Sequence, residues 1–220
     1  YKSFKIADAL FEQDNLAFLT EIHKLAFGIG VFSSKLENIP EYAEPYLSQL
    51  KSDTIQLIWS VMMGNRRGIK LLERSIIENL LRYIYYFHHE IEHELLQIEP
   101  SKHKMIKELF EYAKRHPFFK EKSSVDCSIE ILRSKYSELS RAVHMGTINE
   151  MHIVKGIVSI HSPIPNVKEE CKNFRLLSQS VIFLLSCFHF QEFSSLSLDE
   201  KRVITLLLTA QQKRKLSNLI

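Results

Sequence analysis

The chain has 220 residues, 45% of them hydrophobic and 25% charged, with a formal net charge of +3 at pH 7. This is ordinary globular composition with enough apolar material for a sizeable core, and the mild basic excess permits a nucleic-acid partner without demanding one. Six glycines and six prolines are too few for a turn-rich sandwich or barrel, and three widely spaced cysteines with no CxxC pair exclude a disulfide framework, so the composition favours helices in a reducing cytoplasm.

In chain order, the first periodic segment spans about Asn15 to Phe32, with Leu16, Leu19, Ile22, Ala26 and Ile29 on one side and Asp14 as its expected N-cap. "ENIPEYAEP" reads as a connection because Pro40 and Pro45 resist helix interiors. A second helix is expected from about Tyr46 to Met63, followed by "GNRRG" as a kink or break, and a long third helix from Ile69 to Ile98 that ends at Pro100. "SKHKMIKELFEYAKRHP" forms a short amphipathic fourth helix stopped by Pro117, "KEKSSVD" a polar link, and Cys127 to His144 a fifth helix.

Between Thr147 and Pro165 the pattern becomes rich in β-branched residues, which predicts a short hairpin or an irregular insert. A sixth helix follows from about Val167 to Phe190. Its apolar run "VIFLLSCFHF" is half the ~20 residues a membrane span needs and reads as buried core rather than membrane. A last helix starts at "SLDE", where Ser197 and Glu200 have capping-box spacing, and runs to about Leu216. The expected fold is an all-α bundle of six to seven helices forming one domain over residues 1–220, with an insert near 147–165. A first residue of Tyr1 rather than methionine is consistent with a piece of a longer polypeptide.

Three constellations carry possible chemistry. "HEIEH" satisfies H-E-x-x-H, in which His89 and His93 share a zinc ion and Glu90 is the general base of a metallopeptidase. No third ligand is placed by pattern, and the plainer reading is a solvated helix end rich in His and Glu. In "LLERSIIENLLRYIYYF", Arg74 and Glu78 are one helical turn apart and flanked by apolar residues, as an ion pair at a bundle rim or facing a cleft. In "YSELSRAVHMGT", Tyr136, Ser140 and His144 share a helix face, and Arg141 lies three residues before the histidine. His144 suits proton transfer near neutral pH and Arg141 suits an anion such as a phosphate, whereas the plain alternative is a histidine complementing a helix C-terminus. No carboxylate within that motif orients His144, so its partners must come from elsewhere, with Arg74 and Glu78 as the natural candidates.

The R-x-x-x-E helix followed by "YxxLSxxVHxG", over roughly Thr54 to Gly146, resembles the HEPN-like helical domains of prokaryotic defence and toxin–antitoxin systems, in a branch carrying R-x-x-x-E and S-x-x-x-H helices. The resemblance implies a compact, often dimeric helical bundle. Many members are metal-independent ribonucleases with an R-x(4–6)-H motif, in which arginine holds the scissile phosphate and histidine moves protons for attack by the ribose 2′-hydroxyl. This sequence departs from that motif before His144, where only two residues separate Arg141 from the histidine, while "RYIYYFH", Arg82 to His88, meets it formally and Arg82 to His89 does too. On this basis the expected site is Arg74, Glu78, Ser140, Arg141 and His144, with no cofactor and no metal. The expected function is a cytoplasmic effector acting on RNA. A non-catalytic module that binds a partner sensor, an antitoxin or a second copy is the alternative, and a zinc peptidase through His89, Glu90 and His93 is the third reading. "NRRG" and "QQKRK" are candidate phosphate contacts and "YIYYF" a candidate stacking run, each with a plainer reading as solvated charge or core.

Overall fold

A computed structural model of the chain describes residues 13–119, 122–144, 164 and 166–218. Among the described residues the fold is all helical. The α-helices are α1 (Gln13–Ser33), α2 (Glu44–Met62), α3 (Arg66–Tyr86), α4 (Glu90–Ile98), α5 (Ile106–Arg115), α6 (Lys122–Val143), α7 (Val167–Phe188), α8 (Phe190–Ser195), α9 (Leu198–Thr205) and α10 (Ala210–Ser217), with one 3₁₀ turn at Pro100–Lys102. The expected insert near 147–165 lies outside the described residues but for the buried Ile164.

Among the described residues ten helices stand in place of the expected six or seven, because three expected helices are broken. The third ends at Tyr86 and restarts at Glu90. His89 stacks on Tyr85, with ring centroids 4.1 Å apart, and its Nδ1 donates to the Tyr85 carbonyl at 2.6 Å. In a continuous helix that carbonyl would accept the backbone N–H of residue 89, so the imidazole takes the place of the helical bond. The sixth breaks at His189, whose backbone leaves the helical region (φ −106°, ψ 51°). The last breaks between Thr205 and Ala210, and each half carries its own capping box, Ser197 with Glu200 and Thr209 with Gln212. Asp14 falls inside α1 rather than at its cap, and residues 122–126 of the expected "KEKSSVD" link are already the first turns of α6, the rest lying outside the described residues.

"GNRRG" is a true break and a firm one. Gly64 takes φ 61°, a left-handed conformation that suits glycine, and Asn65 caps α3 by accepting the Gly68 backbone N–H at 2.9 Å. A Cβ on residue 68 would lie 2.5 Å from Asn65 Nδ2, so glycine there is required by the cap itself. This turn folds α3 back on α2, the most extensive helix pair in the molecule.

α7 is the central helix. Residues Ser180 to Phe188 are all buried, and Ser178, Ser180 and Ser186 satisfy their hydroxyls on the carbonyls one turn earlier. α1 lies on α2 and α7 through Phe18, Ile22, Leu25 and Ile29. From Asn15 to Ser33 it is long and apolar enough to cross a membrane by length and composition, with 39% of that window buried inside the fold. α6 packs on α3, α5 and α7. Buried Asp53 on α2 accepts from Gln49 at 2.6 Å and from Asn79 of α3 at 3.0 Å, and Asn79 also donates to Ser75 at 3.1 Å. This polar tie sets the register of α3 against α2, because a buried carboxylate must keep its donors. α3 and α6 are thereby held side by side, with their charged edges at a common rim.

Candidate functional site at the rim of α3 and α6

Arg74 and Glu78 lie one turn apart on α3, and Arg74 Nε donates to Glu78 Oε1 at 2.9 Å. Opposite them on α6, the Tyr136 hydroxyl donates to the same Glu78 oxygen at 2.9 Å, and the Arg74 guanidinium sits 5.2 Å from the Tyr136 ring centroid. Arg82, a further turn along, reaches back to Glu78 Oε2 at 3.3 Å. Two turns beyond Tyr136, His144 Nε2 lies 3.3 Å from Arg74 Nη1, although the two residues are 70 apart in sequence. Arginine can only donate, so that contact requires Nε2 to carry its lone pair, which places the imidazole proton on Nδ1.

Glu78 is the organising residue. One oxygen fixes Arg74 and Tyr136 and the other holds Arg82, so two guanidinium groups are steered by a single carboxylate. Burial pushes the Tyr136 phenol up and Glu78 adds to it, so the hydroxyl stays protonated and remains a donor. Burial opposes the charge on Arg74, but Tyr136 and Glu78 outweigh it and hold the guanidinium above its ordinary range. The side chains of Arg74 and Glu78 are 24% and 19% exposed, and His144 is exposed, so the cluster is open to an incoming anion.

Comparison with protein-family models, with curated proteins and with solved structures gives no match.

Of the five residues expected at the site, the structure brings Arg74, Glu78 and His144 together. Arg141 is exposed on the last turn of α6 and forms no ion pair among the described residues. Ser140, also expected at the site, orients none of these side chains. Its hydroxyl is buried between the turns of Tyr136 and His144 and makes no hydrogen bond. The formal motif from Arg82 to His88 and His89 does not assemble either. Arg82 is drawn back to Glu78, His88 stacks on His116 with centroids 5.4 Å apart, and His89 is tied to Tyr85.

The H-E-x-x-H pattern does not form a metal centre. The break at His88 leaves His89 as the N-cap of α4, packed between Tyr85 and Tyr112, while His93 packs among Tyr42, Tyr46 and Tyr86. Glu90 is exposed on the first turn of α4. Among the described residues no group of three or more His, Cys, Asp or Glu side chains is placed to hold a metal ion.

Sequence reasoning missed a second charged cluster on the neighbouring flank of α3. Glu73 is fully buried, and neither of its carboxyl oxygens has a hydrogen-bond partner. Its nearest cation, Lys70 Nζ, is 4.0 Å away and is committed to Glu170 at 2.5 Å, while buried Lys135 pairs with Glu138 at 3.0 Å. Burial therefore outweighs the lysines and raises the Glu73 carboxyl to about 7. Lys70 is held above its ordinary range, because Glu73 and Glu170 outweigh its burial. The signal was in the sequence: Glu73 falls in the stripe of Ile69, Ile76, Ile77 and Leu80, all of which are buried.

Proposed function

We propose that the protein is a cytoplasmic effector of the prokaryotic defence or toxin type that cleaves RNA without a metal, at the rim where Arg74 meets His144. The observation that carries this reading is the 3.3 Å contact between Arg74 Nη1 and His144 Nε2, on a surface open to solvent. A guanidinium suits a phosphate through paired N–H donors, and a neutral imidazole beside it suits abstraction of a proton from a ribose hydroxyl. An RNA phosphodiester entering the rim displaces Arg74 from His144 onto its non-bridging oxygens. His144 takes the 2′-hydroxyl proton, the 2′-oxygen bonds to phosphorus, and the 5′-oxygen leaves and gains a proton. The products are a 2′,3′-cyclic phosphate and a 5′-hydroxyl. Glu78 and Tyr136 keep the guanidinium at the rim while Nη1 changes partner, and Arg82 and exposed Arg141 supply further positive charge for the RNA backbone.

The test is incubation of the purified chain with mixed RNA in EDTA, beside Arg74→Ala and His144→Ala variants. Fragments bearing a cyclic phosphate from the parent alone support the reading. No cleavage, or equal cleavage by the variants, removes it.

A second reading, a module that binds a protein partner or a second copy, is favoured by α4. None of its residues is buried, and Ile91, Leu95 and Ile98 form an apolar stripe on one face with 71%, 49% and 81% exposure. Light scattering of the parent beside a Leu95→Glu, Ile98→Glu variant tests self-association. A doubled mass that reverts in the variant supports it, and a monomeric parent removes the second-copy form.

A further inference from the structure

Where α3 ends, the Pro117–Phe118 turn and the junction of α7 with α8 enclose a cavity of about 310 Å³. Its walls are largely phenyl rings, with Phe87 and Phe118 packed on Phe188 at centroid distances of 5.2 and 5.4 Å. The polar lining is Gln191, His189 and Glu192.

A buried chain of hydrogen-bonding groups fixes how this lining is charged. The Tyr83 hydroxyl lies 2.6 Å from His189 Nε2, and His189 Nδ1 lies 3.7 Å from Glu192 Oε1. Burial pushes the Tyr83 phenol well up, so its O–H donates to Nε2 and the imidazole proton sits on Nδ1, facing Glu192. Burial also pushes His189 down to about 4, so the ring is neutral at pH 7 and offers Glu192 an N–H dipole rather than a full positive charge. Among the described residues no lysine or arginine lines the cavity or pairs with Glu192. The cavity therefore presents several phenyl rings and one carboxylate with no full positive charge beside it.

We infer that this cavity is a binding site for a small organic amine, whose apolar body lies against Phe87, Phe118 and Phe188 and whose ammonium sits at Glu192. An anion of the same shape would meet the carboxylate with the wrong sign. A neutral molecule would cover Glu192 without giving it a donor cation, and so would sacrifice its hydration. The volume is at the small end of ligand cavities, about 300–1,000 Å³, which suits a single ring with a short side chain. The site lies at the far end of α3 from Arg74 and does not depend on the reading of the rim.

The probes are phenethylamine, 2-phenylethanol and phenylacetate, which share one body and differ in charge, titrated into the full chain by ligand-observed saturation-transfer NMR. Phenethylamine is expected to bind about tenfold more tightly than 2-phenylethanol, with phenylacetate weaker than either. Glu192→Gln is expected to remove the preference for the amine, weakening phenethylamine and relieving the cost that 2-phenylethanol pays for covering the carboxylate. The side chain of Glu192 is 33% exposed, so this variant should fold, as a thermal melt will verify. Phe118→Ala, at a residue 44% exposed, should weaken phenethylamine and 2-phenylethanol alike. Equal binding of amine and alcohol, an amine affinity unchanged in Glu192→Gln, or no binding of any probe at millimolar concentration would overturn the inference.

Discussion

Glu73 and Arg74 are consecutive on α3, yet Glu73 is fully buried without a hydrogen-bond partner while Arg74 stands at the open rim, held by Glu78 and Tyr136. One residue step turns the helix by about 100°, so the chain buries an acid and presents a base from adjacent positions.

The first prediction concerns Glu73. Its carboxyl is raised to about 7 in the folded state, against an ordinary value of 4.5. The folded protein therefore holds more protons than the unfolded chain between those values, and stability falls as pH rises through that window. The loss is on the order of 2–3 kcal/mol for a fully buried group. Glu73→Gln, which stays neutral, should be more stable than the parent at pH 8 and nearly equal to it at pH 4.5, measured as urea midpoints. An unaltered pH profile in Glu73→Gln would contradict this account.

His189 titrates with the opposite sign. Its folded value is depressed to about 4 from 6.5, so its contribution is present above pH 6.5 and is lost as pH falls toward 4. In the parent this slope and that of Glu73 oppose each other between about pH 4.5 and 6.5, and the stability should be nearly flat there. In the Glu73→Gln background the His189 slope should emerge alone, with a loss of about 2 kcal/mol on acidification across that range. Chemical denaturation at four pH values in both proteins separates the two groups.

Glu78 should matter far more for activity than for stability. Its pairs with Arg74 and Arg82 are partly exposed, so Glu78→Ala should cost only about 0.5–1 kcal/mol. RNA cleavage should nevertheless fall at least about tenfold, because both guanidinium groups lose their anchor and positional errors are expensive in catalysis. A thermal melt beside a cleavage assay reads both effects. A large loss of stability with activity preserved would assign Glu78 a purely structural role.

Asn79 should show the reverse. Asn79→Ala leaves buried Asp53 with Gln49 as its remaining donor. A loss of about 2–3 kcal/mol is expected, through an undersatisfied buried carboxylate. Asp53→Asn with Asn79→Asp exchanges donor and acceptor, and should recover part of that loss in urea denaturation.

The helical class was readable from periodicity, and so was the facing of Arg74 with Glu78, because four-residue spacing on a helix forces proximity. The approach of His144 needed the packing of α6 on α3, which periodicity constrains only loosely. The break at His89 carries no glycine or proline, since a side chain rather than the backbone ends the helix. Glu73 sits in an apolar stripe, but whether a lone acid there is sealed or exposed depends on α6 and α7, which supply Lys135, Glu138 and Glu170 from distant sequence. Arg141 and Ser140 shared a motif with His144, yet a helix face about 100° wide does not carry five successive positions to one point.

α3 carries its roles in a fixed angular order: Glu73 inward, Arg74 and Glu78 to the rim, Asn79 onto α2 and Tyr83 onto His189. Its phase is locked at one end by the Asn65 cap and the Gly68 cradle. A single residue inserted after Gly68 would rotate every later side chain by about 100°. It would strand Asp53, Glu78 and His189 in one stroke, although the inserted residue itself would touch none of them. The length of this helix is therefore as tightly constrained as the identity of any residue on it.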